Sequence, residues 1–161
     1  LLAREYEGAL LKENVVVNDI VRDELDKCKV AYESKNLSLK FVELDSLVTF
    51  AAPKVVAIVF GNLLRNACLY TEKGEVIVTI AENSVAISDS GVGMTAKNMD
   101  DAFSSSYNPQ HARGNGIGLS LVKRITDRFG WHISVDSQPH QGTDILVDMA
   151  SSGSKPAPSV S

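Results

Sequence analysis

The chain is 161 residues long, 44% hydrophobic and 22% charged, with 16 Lys and Arg against 20 Asp and Glu for a formal net charge of -4. That length supports one domain with a sizeable core, while the mildly acidic balance offers nucleic acid no basic footprint and no apolar run approaches the length of a membrane span. Cys28 and Cys68 both sit in helix-like apolar patterns and are expected to be reduced, buried thiols without a disulfide or metal role. Leu1 has no initiator methionine before it, so the chain reads as a piece of something longer.

Leucines at 1, 2, 10 and 11 make residues 1–14 read as the end of a helix, a junction from another module, with the domain proper spanning 15–150. Asn18 is the expected N-cap of a helix whose apolar positions are Ile20, Val21, Leu25, Cys28 and Tyr32. Leu37, Leu39 and Phe41 then alternate as in a strand. Pro53 suits the first turn of a second helix, predicted to run to about Tyr70. On it, Asn62 and Asn66 are four residues apart and share a face among apolar neighbours. Carboxamides suit an apolar helix interior poorly unless something there needs oxygen ligands, as a hard, phosphate-bound magnesium ion would.

Glu75 to Ile80 and Val85 to Asp89, joined through Glu82 and Asn83, read as a strand hairpin. It ends on Asp89, Gly91 and Gly93 of DSGVGM, glycines that let the chain turn sharply beside a ligand. Residues 104–113 show neither period and are expected to form a lid over the site rather than a plain surface loop. Gly114, Gly116 and Gly118 then open a helix predicted from Leu119 to Phe129 and ended by Gly130; a glycine loop there aims backbone N–H groups at phosphate. Trp131, Ile133 and Val135 alternate as one strand, and Ile145, Val147 and Met149 as another. The tail, 151–161, is expected to be a disordered end or linker. Irregularly mixed strands and helices point to an α+β two-layer sandwich, a mixed β-sheet packed on helices, with no internal repeat.

In this order and spacing, NLLRNACLYT (62–71), DSGVGM (89–94), DAF (101–103), GNGIGL (114–119) and the Gly142-Thr143 pair resemble the motifs of the ATP-binding catalytic domain of sensor histidine kinases. That family is a branch of the superfamily that includes gyrase, and the resemblance implies the Bergerat ATP-binding fold. Asn66 then matches the magnesium ligand. Asn62 matches a position on the phosphate side where gyrase-like ATPases carry a glutamate base; an asparagine cannot take that proton, which favours passing phosphate to a protein acceptor over hydrolysis. Asp89 matches the acid that accepts a hydrogen bond from the adenine amino group, and Gly91 and Gly93 leave room for the base. Thr143 resembles the residue that backs adenine through a water. Gly114, Gly116 and Gly118, with Leu119 following, would wrap the phosphates. Tyr70 stands where the family often has an aromatic flanking the nucleotide, with a core role as the equal alternative.

The chain departs from that pattern at Leu69 and Asn108, where members often carry cations, and at Ser106, where a second phenylalanine is usual. Arg113 is the candidate replacement cation, with His111 second; Lys73 and Lys123 could approach phosphate, although exposed lysines on turns and helices are usually just solvated. None of His111, His132 and His140 stands in the helical pattern of the family's phospho-acceptor. The resemblance therefore implies ATP and Mg2+ as cofactors, and transfer of the γ-phosphate to a histidine on a separate dimerisation domain, for relay to the receiver domain of a response regulator. A degenerate module that regulates a partner by docking is the alternative. Homodimerisation would run through the missing segment, and the domain would be cytoplasmic, out of contact with the membrane even if the longer protein is anchored there.

Overall fold

The computed structural model describes residues 11–95, 97, 98, 100 and 116–150. The order is β1 (Glu13–Val16), α1 (Val17–Ala31), β2 (Asn36–Glu43), β3 (Val48–Ala51), α2 (Pro53–Leu69), β4 (Lys73–Ile80), β5 (Ser84–Asp89), α3 (Gly116–Phe129), β6 (His132–Ser137) and β7 (Thr143–Asp148). Five strands form one sheet in the order β2-β4-β5-β7-β6, and β1 pairs with β3 separately. Only β2 and β4 run parallel in the large sheet; β4–β5, β5–β7 and β6–β7 are antiparallel. The sheet is therefore mixed, and the expected α+β sandwich is what the chain forms.

The two periods in the sequence explain the two layers. Val76, Val78 and Ile80 on β4, Val85 and Ile87 on β5, and Ile145 and Val147 on β7 are buried at every second position, so one face of the sheet lies on the core. The other face keeps Leu146 exposed. Against the core face lies α2, whose Val55, Val56, Val59, Phe60, Leu63, Leu64 and Ala67 are all buried. It is apolar around most of its circumference because α1 and α3 both flank it and the sheet lies beneath it. Burying each of Phe60, Leu63 and Leu64 contributes roughly 1.5–3 kcal/mol, which makes α2 the element the remainder packs on. Pro53 opens it at the first turn. Cys28 on α1 and Cys68 on α2 are both buried and free. Hydrogen bonding between the two thiols pulls Cys28 below its ordinary value and, with burial, pushes Cys68 far up.

Two expectations are corrected. Asn18 does not cap α1: the N-cap position is Val16, with no side-chain cap, and Asn18 lies inside the helix. Its amide donates to Glu43 Oε1 at 2.8 Å and the Asp45 carbonyl at 2.9 Å, and its oxygen accepts the Leu47 N–H at 2.9 Å. Partners 25 to 29 residues away outcompete the local cap. The helical reading of residues 1–14 also fails at its end, because Glu13 and Asn14 belong to β1 and pair with Ala51 and Phe50. The rest of that segment, the lid at 104–113 and the tail lie outside the described residues.

Candidate functional site

The C-terminal half of α2 forms one wall of a cleft. Leu63, Asn66, Ala67 and Tyr70 fall at i, i+3, i+4 and i+7, so they share one helical face. The opposite wall comes from β5 and β7, where Asp89 pairs with Thr143 and Ile87 with Ile145 in the ladder. Gly93, Met94 and Leu119 complete the lining of a space of about 420 Å³, measured out to open solvent. A mostly aliphatic cleft with a few convergent polar groups is the usual form of a small-molecule site.

The polar end is built by three backbone segments in close approach. Asp89 Oδ1 accepts the Gly91 N–H at 2.8 Å. The Val92 N–H reaches the Tyr70 carbonyl at 3.2 Å, and the His140 N–H reaches the Val92 carbonyl at 2.6 Å. A Cβ on Gly93 would collide with the Gln138 carbonyl, and one on Gly142 with the Asp89 carbonyl. Both have positive φ, 71° and 79°, so glycine is required there on two counts. Ser137 Oγ ties the segments together: it accepts the Met94 N–H at 2.8 Å, donates to the Gly142 carbonyl at 3.0 Å and lies 2.8 Å from the Thr143 hydroxyl. Burial pushes the Asp89 carboxyl above its ordinary range, opposed by the Gly91 and Thr143 N–H groups that bond its charged form.

The two asparagines of α2 have different surroundings. Asn66 is buried, and its Oδ1 has no hydrogen-bond partner among the described residues. Buried polar atoms are nearly always paired, so an unpaired oxygen on a residue of the cleft wall is a candidate ligand position. Asn62 is half-buried and outside the lining; its amide donates to the Ile58 carbonyl at 2.8 Å, and its oxygen accepts from Arg65 Nη2 at 2.8 Å. Among the described residues, no cluster of three His, Cys, Asp or Glu could hold a metal ion. The unpartnered Asn66 oxygen is the kind of hard ligand that a magnesium ion takes from protein.

Of the residues singled out in the sequence, Asn66, Tyr70, Asp89, Gly93, Leu119 and Thr143 line the cleft together. Gly91 lies behind it in the Asp89 turn. Tyr70 is 42% exposed at the end of α2, which sets aside its core reading. Gly116 and Gly118 lie in the first turn of α3. Ser106, Asn108, His111, Arg113, Gly114 and the DAF segment lie outside the described residues. Lys123 forms an exposed pair with Asp127 at 2.8 Å, Lys73 is exposed at the start of β4, and Leu69 is partly exposed.

Leu63, Ala67, Ile87, Met94 and Ile145 were missed as lining residues. The first two share the helical face of Asn66, and Ile87 and Ile145 are two residues from Asp89 and Thr143 on their strands, so period alone would have found four of the five. Lys35 was missed as well. Its Nζ donates to the carbonyls of Cys68 and Leu69 at 3.0 and 2.8 Å, holding the end of α2 that carries Asn66 and Tyr70.

The family model for "Histidine kinase-, DNA gyrase B-, and HSP90-like ATPase" matches residues 52–151. Sensor protein GacS of Pseudomonas syringae pv. syringae is 26% identical over 160 residues, 88% of this chain and 18% of that protein. Adaptive-response sensory kinase SasA of Rippkaea orientalis is 31% identical over 134 residues, 77% of this chain and 34% of that protein. The chain thus spans about a third or less of the length of these two relatives. Among solved structures, the full-length ShkA complex with AMPPNP superposes with a TM-score of 0.72 at 19% identity, over 89% of this chain and 32% of that one. The mycobacterial sensor histidine kinase MprB gives 0.70 at 20% identity, over 86% and 96%. At such identities these two speak for the fold. The family match does more, because residues 52–151 take in every residue that lines the cleft: the chain belongs to the histidine kinase-, DNA gyrase B- and HSP90-like ATPase family.

Proposed function

We propose that this chain is the ATP-binding catalytic part of a sensor histidine kinase, passing the γ-phosphate of ATP to a histidine on a separate dimerisation domain. The observation that carries this reading is the presence, in one apolar cleft, of the Asp89 carboxylate and the unpartnered Asn66 oxygen. The sensor kinases among its relatives and the AMPPNP held by ShkA support it.

Asp89 accepts from the exocyclic amino group of adenine and rejects guanine, which offers a carbonyl there. The aliphatic walls from Leu63, Ala67, Ile87 and Ile145 take the faces of the base, and Tyr70 flanks the nucleotide at the mouth. Thr143 backs the base beside Asp89. Asn66 holds magnesium, which when bound neutralises phosphate charge. Asn62, already engaged by Arg65 and Ile58, has no group able to take a proton from water, which suits transfer to a protein acceptor better than hydrolysis. Gly114, Gly116 and Gly118 wrap the phosphates, and Arg113 supplies the cation absent at Leu69 and Asn108.

The partners that follow are the chain's own dimerisation domain, through which it pairs as a homodimer, and the receiver domain of a response regulator. Among the described residues no helix is long and apolar enough to cross a membrane, and we place the domain on the cytoplasmic side. The test is calorimetric titration with ADP and a non-hydrolysable ATP analogue, with and without magnesium, followed by labelling from radioactive ATP. The chain should bind nucleotide but label itself negligibly, and acid-labile phosphohistidine should form on an added dimerisation segment. Absence of nucleotide binding would overturn the reading. Binding with no labelling of the restored protein would replace the kinase with a regulatory docking module.

A further inference from the structure

Thr71, the residue after Tyr70, is wholly buried, and its hydroxyl has no full hydrogen bond among the described residues. Leaving a hydroxyl in that condition costs a fold stability, and valine would fill the same volume without the cost. A threonine there therefore needs another explanation, and its neighbours supply one. A Cβ built on Gly91 would lie 2.8 Å from Thr71 Oγ1 and 3.0 Å from Asp89 Oδ1, so the two oxygens border the same small space. The Tyr70 carbonyl borders that space too, but it is already taken by the Val92 N–H at 3.2 Å. The hydroxyl is also near enough to the carboxylate to favour its charged form.

We propose that Thr71 is a positioning residue for base recognition: its hydroxyl donates to the Asp89 carboxylate as the base enters, fixing the carboxylate's rotation toward the amino group. An ionised carboxylate has about four acceptor sites. The Gly91 N–H, 2.8 Å from Oδ1, occupies one, the Thr143 N–H favours the charged form from the neighbouring strand, and the Thr71 hydroxyl takes a further one, which narrows the directions left for a donor on the ligand. A carboxylate so constrained discriminates by geometry as well as by charge, because it cannot rotate to meet a base that presents its donor elsewhere. The inference rests on the adenine reading of the cleft and adds a specificity residue that does not itself line it.

The experiment compares wild type, Thr71→Val and Thr71→Ser for binding of ADP and of purine riboside 5′-diphosphate, which lacks the 6-amino group, with thermal unfolding of each variant. Thr71→Val should weaken ADP about tenfold and leave the amino-free nucleotide unchanged, while its Tm equals or exceeds wild type. Thr71→Ser should restore ADP binding to within about twofold, since it keeps the donor. In an Asp89→Asn background Thr71→Val should have no further effect, as expected of groups acting as one unit. Unchanged ADP binding by Thr71→Val, or equal loss of both nucleotides, would overturn the inference, as would a lowered Tm with no serine rescue. A wild-type chain that binds neither nucleotide would instead bring down the adenine site itself, and the role of Thr71 with it.

Discussion

Asn18 on α1 and Asn66 on α2 are both asparagines inside helices and almost equally buried, at 5% and 7% exposure. Asn18 has its oxygen and both amide hydrogens engaged, holding residues 43–47 against the start of α1. Asn66 has a buried oxygen with no partner among the described residues. Helix propensity and burial are alike at the two positions, so the difference lies in what each was left to bind. A satisfied buried amide holds the fold together; an unsatisfied one at a cleft wall marks where the fold stops and a ligand begins.

The sharpest way to break this contrast is Asn66→Ala. It should abolish the magnesium-dependent part of ATP-analogue affinity while costing the fold under about 1 kcal/mol, because no hydrogen bond of the oxygen is lost. Calorimetry with and without magnesium, beside urea unfolding, measures both. Retention of the full magnesium enhancement would make Asn66 a core residue like Asn18.

Asp89→Asn comes next. It replaces an acceptor-only group with one that presents a donor to the amino group, and ADP affinity should fall by about 1.5–3 kcal/mol. The same carboxylate predicts a pH dependence of two signs. Its folded-state pKa is raised by burial, so it disfavours the fold at pH above that raised value, and this penalty is relieved as pH falls toward its ordinary pKa. ADP affinity should run the other way, declining as pH falls through the raised pKa because the charged acceptor is lost. Affinity that is flat across that window would remove Asp89 from base recognition.

For Asn18→Ala the expectation is reversed. The Leu47 N–H would be left unpaired in a buried setting, and stability should drop by about 2 kcal/mol with nucleotide affinity unchanged once the fraction folded is accounted for. Urea unfolding checks the first and titration the second. Equal effects of Asn18→Ala and Asn66→Ala on both measurements would dissolve the comparison.

Where the sequence could be read and where it could not follows from range. Val76, Val78 and Ile80 announced β4, and Ile145 and Val147 announced β7, because alternation is a local signal that burial on one face enforces. The helical face of α2 was equally open to inspection: Asn66 was named from it together with Asn62, and the same period, carried one step further, would have added Leu63 and Ala67. Asn18 misled because a cap is a local preference, whereas Glu43, Asp45 and Leu47 supply three partners from far along the chain. Four-residue β1 has too little length for a period to show, and its pairing with β3 is set by residues more than thirty positions away. At the site, the motif glycines were visible as residues, but the reason for Gly93 and Gly142 was not. It is the backbone of Gln138 and Asp89 crossing against them, and no local pattern reports a crossing.

The anchoring of α2 by Lys35 has an electrostatic consequence. The last turn of α2 contains no basic residue, so nothing on the helix itself offsets the partial negative charge of its carbonyl end. A polyphosphate approaching there would meet a repulsive field. Lys35, brought from the turn before β2, places its ammonium directly on those carbonyls and pairs with Glu72 at 3.3 Å. The positive charge that the helix end itself lacks is thus supplied from another part of the chain. It reaches the helix end rather than the ligand, and so it makes the approach of an anion less unfavourable without taking part in holding it.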